Sequence, residues 1–96
     1  MRLIYHPEAE TEVIEAARHY EEEVSGLGVR FLAEWDRAIE IILEAPTRWP
    51  RVEDEIRRYT MARFPYGIYY RIEEDWVRVL VAKHHSRHPE YWLHRA

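Results

Sequence analysis

The spacing of apolar residues changes between Pro46 and Ile56, and that change asks for a fold of two different layers. Before it, apolar side chains recur every three or four residues. Ala9, Val13, Ala16/Ala17, Tyr20 and Val24 form one series; Phe31/Leu32, Trp35, Ala38/Ile39 and Ile42/Leu43 form the next. Each series puts an apolar stripe on one side of an α-helix. Pro7 suits a first helical position, and Glu8, Glu10 and Glu12 favour the positive end of a helix dipole. Ser25-Gly26-Leu27-Gly28 separates the series by so short a break that the two helices are expected to lie antiparallel as a hairpin. Pro46 ends the second helix.

The rest of the chain reads as strands. Arg2-Leu3-Ile4-Tyr5 is a short apolar strand ahead of the helices, and Thr47–Glu55 is a proline-punctuated connector after them. Ile56–Ala62, Tyr66–Ile72 and Trp76–Ala82 then alternate, interrupted by Phe64-Pro65 and by the acidic turn Glu73-Glu74-Asp75. Val77, Val79 and Val81 are expected on one face, with Trp76, Arg78, Leu80 and Ala82 on the other. The order is β-αα-βββ: an α+β fold with the helical hairpin covering one face of a small antiparallel sheet. At 96 residues there is room for one core, so residues 1–96 are expected to form a single domain.

Several function classes lose their chemistry at this point. The chain has no cysteine, so it offers neither a disulfide nor a cysteine-ligated zinc site. Three glycines cannot make a phosphate-binding glycine loop, and Ser25 and Ser86 have no nucleophile-elbow context. The opening residues turn acidic after Pro7, no apolar run approaches the roughly 20 residues of a membrane span, and a cytoplasmic location is expected.

Charge is divided as sharply as structure. The net charge of −4 combines 6 arginines against 14 carboxylates in residues 1–55 with 7 arginines and Lys83 against 4 carboxylates in residues 56–96. Four of the six histidines also fall in the second part. A polyanionic partner for that half follows, although helices also carry glutamate for propensity alone. Arg57, Arg58, Arg63, Arg71, Arg78 and Arg87 alternate with Tyr59, Phe64, Tyr66, Tyr69, Tyr70, Tyr91 and Trp92. Guanidinium groups among aromatic faces suit phosphates and bases, while in an alternating strand several of those rings must instead be core. His84 and His88 stand four apart without a third ligand nearby, so no metal or other cofactor is expected. A pH-sensitive basic tip, charging below about pH 6.5, is the simpler reading.

In order along the chain come the Gly26-Leu27-Gly28 turn, Phe31-Leu32, Pro46, Trp49-Pro50, Ile56-Arg57-Arg58-Tyr59, then Arg63-Phe64-Pro65-Tyr66-Gly67-Ile68-Tyr69-Tyr70-Arg71. Ala82-Lys83-His84 and Arg87-His88-Pro89-Glu90-Tyr91-Trp92 close the series. Together these resemble the RelE/ParE toxin superfamily, and within it the ParE-like, plasmid-stabilisation branch, over nearly the whole chain. The resemblance implies a microbial-ribonuclease-like fold and a toxin of a type II toxin–antitoxin system. Such a toxin is held inactive by a cognate antitoxin encoded beside it, in a hetero-oligomer. ParE-like members poison DNA gyrase; RelE-like members cut messenger RNA on the ribosome.

RelE-like cleavage uses an arginine just after the tyrosine of the third strand, where this chain has Gly67 after Tyr66, and only Arg87 and Tyr91 match the tail pair. Losing one source of transition-state charge stabilisation can cost about 10²–10³ in rate, which favours the gyrase reading. The expected target contacts are Arg57, Arg58, Arg63, Arg87, Tyr91 and Trp92. In the ribonuclease alternative, Arg87 clamps phosphate while Tyr91 or His84/His85 move protons. A relative that binds antitoxin without being toxic is the third reading. Toxins of this family are usually basic; here the acidic excess on the helices departs from the pattern. The antitoxin is expected to lay an amphipathic helix and an extended segment along the hairpin and sheet edge.

Overall fold

The two apolar stripes become helices α1 (Pro7–Glu23) and α2 (Leu27–Glu44) in the computed structural model, which describes residues 1–96. The His6 imidazole caps α1, its Nδ1 accepting from the Glu8 N–H at 3.1 Å. Gly26, with φ at +87°, turns the chain in a conformation that L side chains rarely adopt. It gives α2 no capping side chain, and Glu21 supplies one from α1. Its carboxylate accepts from the Gly26 N–H at 2.8 Å and the Gly28 N–H at 3.0 Å. The Gly26 bond is the main reason the Glu21 carboxyl lies below the ordinary glutamate range. At Gly28 the helices come closest: an added Cβ would collide with the Ala17 carbonyl and lie 2.9 Å from Glu21 Cβ.

Five strands form one sheet, β1 (Arg2–Tyr5), β2 (Arg51–Glu53), β3 (Ile56–Thr60), β4 (Tyr66–Glu73) and β5 (Trp76–His84), in the order β1-β5-β4-β3-β2. The three C-terminal strands are antiparallel neighbours, as their alternation suggests. The sheet as a whole is mixed, because β1 pairs with β5 in parallel after the helical hairpin has carried the chain across one face. Alternation along a strand shows which side is apolar but not the direction of its partner. β2 lies inside the segment read as a connector; all three of its residues are exposed, so no apolar period marked it.

The helices bury the face of the sheet that carries Tyr70, Ile68, Val77, Val79 and Ala82. Trp35 donates its indole N–H to Tyr5 Oη at 2.7 Å, joining α2 to β1. Tyr70 donates its hydroxyl to the Pro46 carbonyl at 2.7 Å, and burial pushes its pKa up to about 12. Phe64 enters this layer from the β3–β4 loop. Its ring stands 5.0 Å from Tyr20 and 5.1 Å from Phe31, edge-on to both, which is a favourable aromatic geometry. The aromatic part of the Arg-Phe-Pro-Tyr motif is therefore a core device. No helix is long and apolar enough to cross a membrane.

One irregularity in β5 reorganises everything after it. Tyr70 faces Val79 and Tyr69 faces Val81, so Leu80 is an extra residue, a β-bulge. Val77 and Val79 share a face as expected, the one under the helices, but Leu80 and Val81 both join the small cluster on the opposite, open face with Ile56, Tyr69 and Trp92. Ala82 returns to the helical side. The expected sharing of faces thus fails at Val81 and Ala82, because a one-residue insertion reverses the alternation beyond it.

Gly28→Ala is expected to lose about 1–3 kcal/mol in urea denaturation, since the hairpin must open to admit a methyl group. An unchanged midpoint would contradict the close approach of the helices.

Candidate functional site

The parallel partner of β5 ends too early. β1 stops at Tyr5, the His6 N–H makes the last bond to the Val79 carbonyl at 2.8 Å, and the edge of β5 continues without a neighbouring strand. Two side chains take its place. Glu12 of α1 accepts from the Ala82 N–H at 3.0 Å. Arg95, in the short 3₁₀ turn Leu93–Arg95, donates to the Leu80 carbonyl at 3.0 Å. The same two residues bind each other at 2.8 Å and 3.0 Å, with the Arg95 side chain 4% exposed and that of Glu12 15%. Tyr91 adds its hydroxyl to Glu12 at 2.6 Å, and burial followed by that carboxylate raises its pKa. A charge pair this enclosed stabilises only when its remaining hydrogen-bonding capacity is used, and here backbone and tyrosine use much of it.

The clamp holds the C-terminal tail, and the tail shapes the surface around β5. The Arg87 guanidinium lies 4.0 Å from the Tyr91 ring centre, a cation–π contact on a ring already fixed by Glu12. Trp92 passes to the open face and packs 5.1 Å from Tyr69.

Beyond the bulge, Lys83 points to the open face. It pairs across the strands with Gly67, which pairs with Thr60; the adjacent row is Arg58, Tyr69 and Val81. Arg58, Thr60, Gly67, Tyr69, Lys83, His85 and Pro89 line a recess of about 390 Å³. Further along the face, Glu73 accepts from Arg71 at 2.8 Å and from Arg78 at 3.1 Å. The Arg71 bond first, then Arg78, holds the Glu73 carboxyl below its ordinary range. Two cations thus share one carboxylate.

The residues expected at a target surface divide between these regions. Arg58 is exposed at the recess, and Arg87 is exposed at the adjoining end of β5. Arg57 lies on the helical side and donates to the Thr47 and Trp49 carbonyls at 3.0 Å and 2.6 Å, tying down the connector. Arg63 borders a different groove, between α2 and β3, with Glu34, Arg37 and Met61. Tyr91 is half-buried, its hydroxyl committed to Glu12. Trp92 must be withdrawn from the target surface: it is 2% exposed, because the tail folds its ring against Leu80 and Val81. Glu12, Lys83 and Arg95 are the residues that sequence reasoning passed over.

His84 turns to the helical side, its ring edge-on to Tyr66 at 5.1 Å. It shares a smaller cavity, about 190 Å³, with Glu12, Glu15, His19 and Arg87. Its Nδ1 accepts from the Ser86 N–H at 3.0 Å, which suits a neutral imidazole protonated at Nε2. Burial, then the neighbouring His85 and Lys83, lower its pKa from the ordinary 6.5. The expected basic tip is accordingly less ready to charge at His84 than a free imidazole. No three His, Asp or Glu side chains are grouped to hold a metal ion.

Histidine NMR titration is expected to place His84 below pH 6.5. Its folded-state pKa lies under the unfolded one, so the unfolded chain protonates first. The contribution of His84 to stability therefore declines as pH falls from 6.5 through the folded pKa. Titration at or above 6.5 would contradict the geometry.

The family model for the ParE toxin of the type II toxin–antitoxin system, parDE, matches residues 3–89. That span contains the hairpin, four whole strands, all of β1 but Arg2, and Arg87, and stops before Tyr91, Trp92 and Arg95. Among solved structures, the chain is similar to one titled "Chromosomal ParDE TA system from P. aeruginosa". The TM-score is 0.75 at 15% identity, covering 88% of this chain and 95% of that one; at this identity the likeness is one of fold. No match is found among curated protein sequences. With the family model covering most of its length and its α+β order shared with a ParDE structure, the chain belongs to the ParE toxin family of type II toxin–antitoxin systems.

Proposed function

We propose that this chain inhibits growth by poisoning DNA gyrase in the cytoplasm and is neutralised by a cognate antitoxin in a hetero-oligomer. The observation that carries the reading is the arrangement of cations around the end of β5. Arg58 and Lys83 share the open face and Arg87 adjoins them. The exposed glutamates Glu8, Glu10 and Glu22 sit on α1, across the sheet. A surface of this kind holds a polyanionic complex by charge.

It is poorly furnished for cutting one. The Tyr91 hydroxyl is bound to Glu12 and its pKa is raised, which opposes proton transfer. Arg87 and His84 meet in a cavity that also contains Glu15, whose carboxylate repels a scissile phosphate. The groove between α2 and β3, about 410 Å³ and lined by Ala38, Ile41, Tyr59 and Met61 with Arg37, Arg63 and Glu34 also lining it, suits an amphipathic antitoxin segment.

Inducing the chain alone is expected to arrest growth and raise a DNA-damage response, with rescue by its partner gene. Purified chain is expected to block gyrase supercoiling. Arg58→Ala with Arg87→Ala should weaken that inhibition roughly 10–100-fold, the scale of losing charged hydrogen bonds, while antitoxin still binds. Messenger-RNA cleavage within codons with supercoiling unaffected would establish the ribonuclease instead. Tight antitoxin binding with no growth effect would mark a non-toxic relative.

A further inference from the structure

Lys83 is in an unusual position for an ammonium group. It is 7% exposed, no carboxylate pairs with it, and its Nζ donates to one acceptor, the His84 carbonyl at 3.2 Å. A lysine has three donors, and a buried ammonium without a counter-ion is costly. The nearby charges make matters worse, since Arg58 and Arg87 are cations too. Burial first, and then those two guanidinium groups, lower the Lys83 pKa.

The space above Lys83 is kept open by Gly67. The glycine is not there for a left-handed backbone, since its φ is not positive. A Cβ at Gly67 would lie 3.2 Å from Tyr69 Cε1, tighter than most side chains tolerate, and in van der Waals contact with Arg58 Cγ and Cδ at 3.5 Å. A side chain there would also intrude between Arg58 and Lys83. The recess therefore has a buried cation without a counter-ion in its floor and the exposed Arg58 at its rim, with Thr60 and His85 also lining it.

We infer that the recess over Gly67 binds one phosphate group, with Lys83 as its buried counter-charge and Arg58 closing on it from the rim. An ammonium and a guanidinium lining one recess suit an oxyanion, and guanidinium favours phosphate through paired N–H donors. The same chemistry is presented by a phosphodiester of a nucleic-acid strand and by a free phosphate. The inference rests on the proposed function only for nucleic acid as the physiological source; the recess itself is testable on the isolated chain.

Calorimetric titration of the purified chain at constant ionic strength uses three probes: inorganic phosphate, thymidine 5′-monophosphate and a short oligothymidylate, with acetate as control. One saturable site is expected, with a shift of the Lys83 Nζ resonance on binding. Lys83→Met, Arg58→Gln and Gly67→Ala should each weaken it about tenfold or more. Gly67→Ala fills the space without removing a charge, so it and Arg58→Gln carry the test if Lys83→Met fails to fold. Binding of the oligonucleotide alone, lost in these variants, identifies the strand phosphodiester; binding of all three identifies the phosphate group itself. Affinities unchanged by the variants, equal binding of acetate, or no binding by any probe would overturn the site. Growth arrest persisting beside such a failure would leave the gyrase reading standing and remove only the recess.

Discussion

The Glu12–Arg95 ion pair does the work of a missing strand. β5 outlasts its parallel neighbour, and the backbone groups left over at Leu80 and Ala82 are bound by an arginine from one end of the chain and a glutamate near the other. Unbound, they would be polar groups at the rim of an apolar core, each costing about 1–3 kcal/mol. The pair also has to be kept whole. Removing one partner of a buried ion pair typically costs about 3–5 kcal/mol, because the survivor is left desolvated and unopposed. For a domain whose total stability is of the order of 5–15 kcal/mol, that makes the tail part of the fold rather than an appendage.

What the clamp holds in place is the bulge at Leu80, and the bulge decides which residues meet on which face. Had β5 alternated regularly from Val77, Lys83 would point toward the helices and His84 toward the open face. The inserted residue exchanges them. Lys83 then joins Arg58 above Gly67, while His84 joins Tyr66 and His19 under α1. The open face gains a cation and loses an imidazole, which shifts its chemistry from proton transfer toward anion binding. The acidic helices on the far side leave that polarity undisturbed and help explain how a net acidic chain can present a cationic surface.

Much of the fold could be read from residues because its signals are periodic and local. The stripes of α1 and α2, Pro7 at one helix start and Gly26 at the turn, and the alternation in β4 and early β5 all act within a few positions of each other. The parallel pairing of β1, the exposed strand β2 and the Leu80 bulge depend on partners distant in sequence, and no local pattern carries them. The site divides in the same way. Arg58 and Arg87 were visible as cations among aromatic strand residues. Lys83 was visible only as part of Ala82-Lys83-His84, and strict alternation assigns it to the wrong face. Glu12 left a usable trace, standing three residues after Ala9 and four before Ala16 at the margin of a buried stripe. Arg95 left none, because its role comes from where a 3₁₀ turn happens to end. Trp92 misled because aromatic composition cannot separate a ring that meets a partner from one that meets Tyr69.

Native-state hydrogen exchange at the Ala82 amide tests the clamp most directly, since this amide donates to the Glu12 carboxylate. In the wild-type chain it should be as protected as the ladder amides of β5 and open only with global unfolding, and in Arg95→Met that protection should collapse while the amides of β3 and β4 keep theirs. An Ala82 amide that exchanges like a free strand edge in the wild type, or that stays equally protected without Arg95, would contradict the clamp as the element on which the bulge and both faces of the sheet depend.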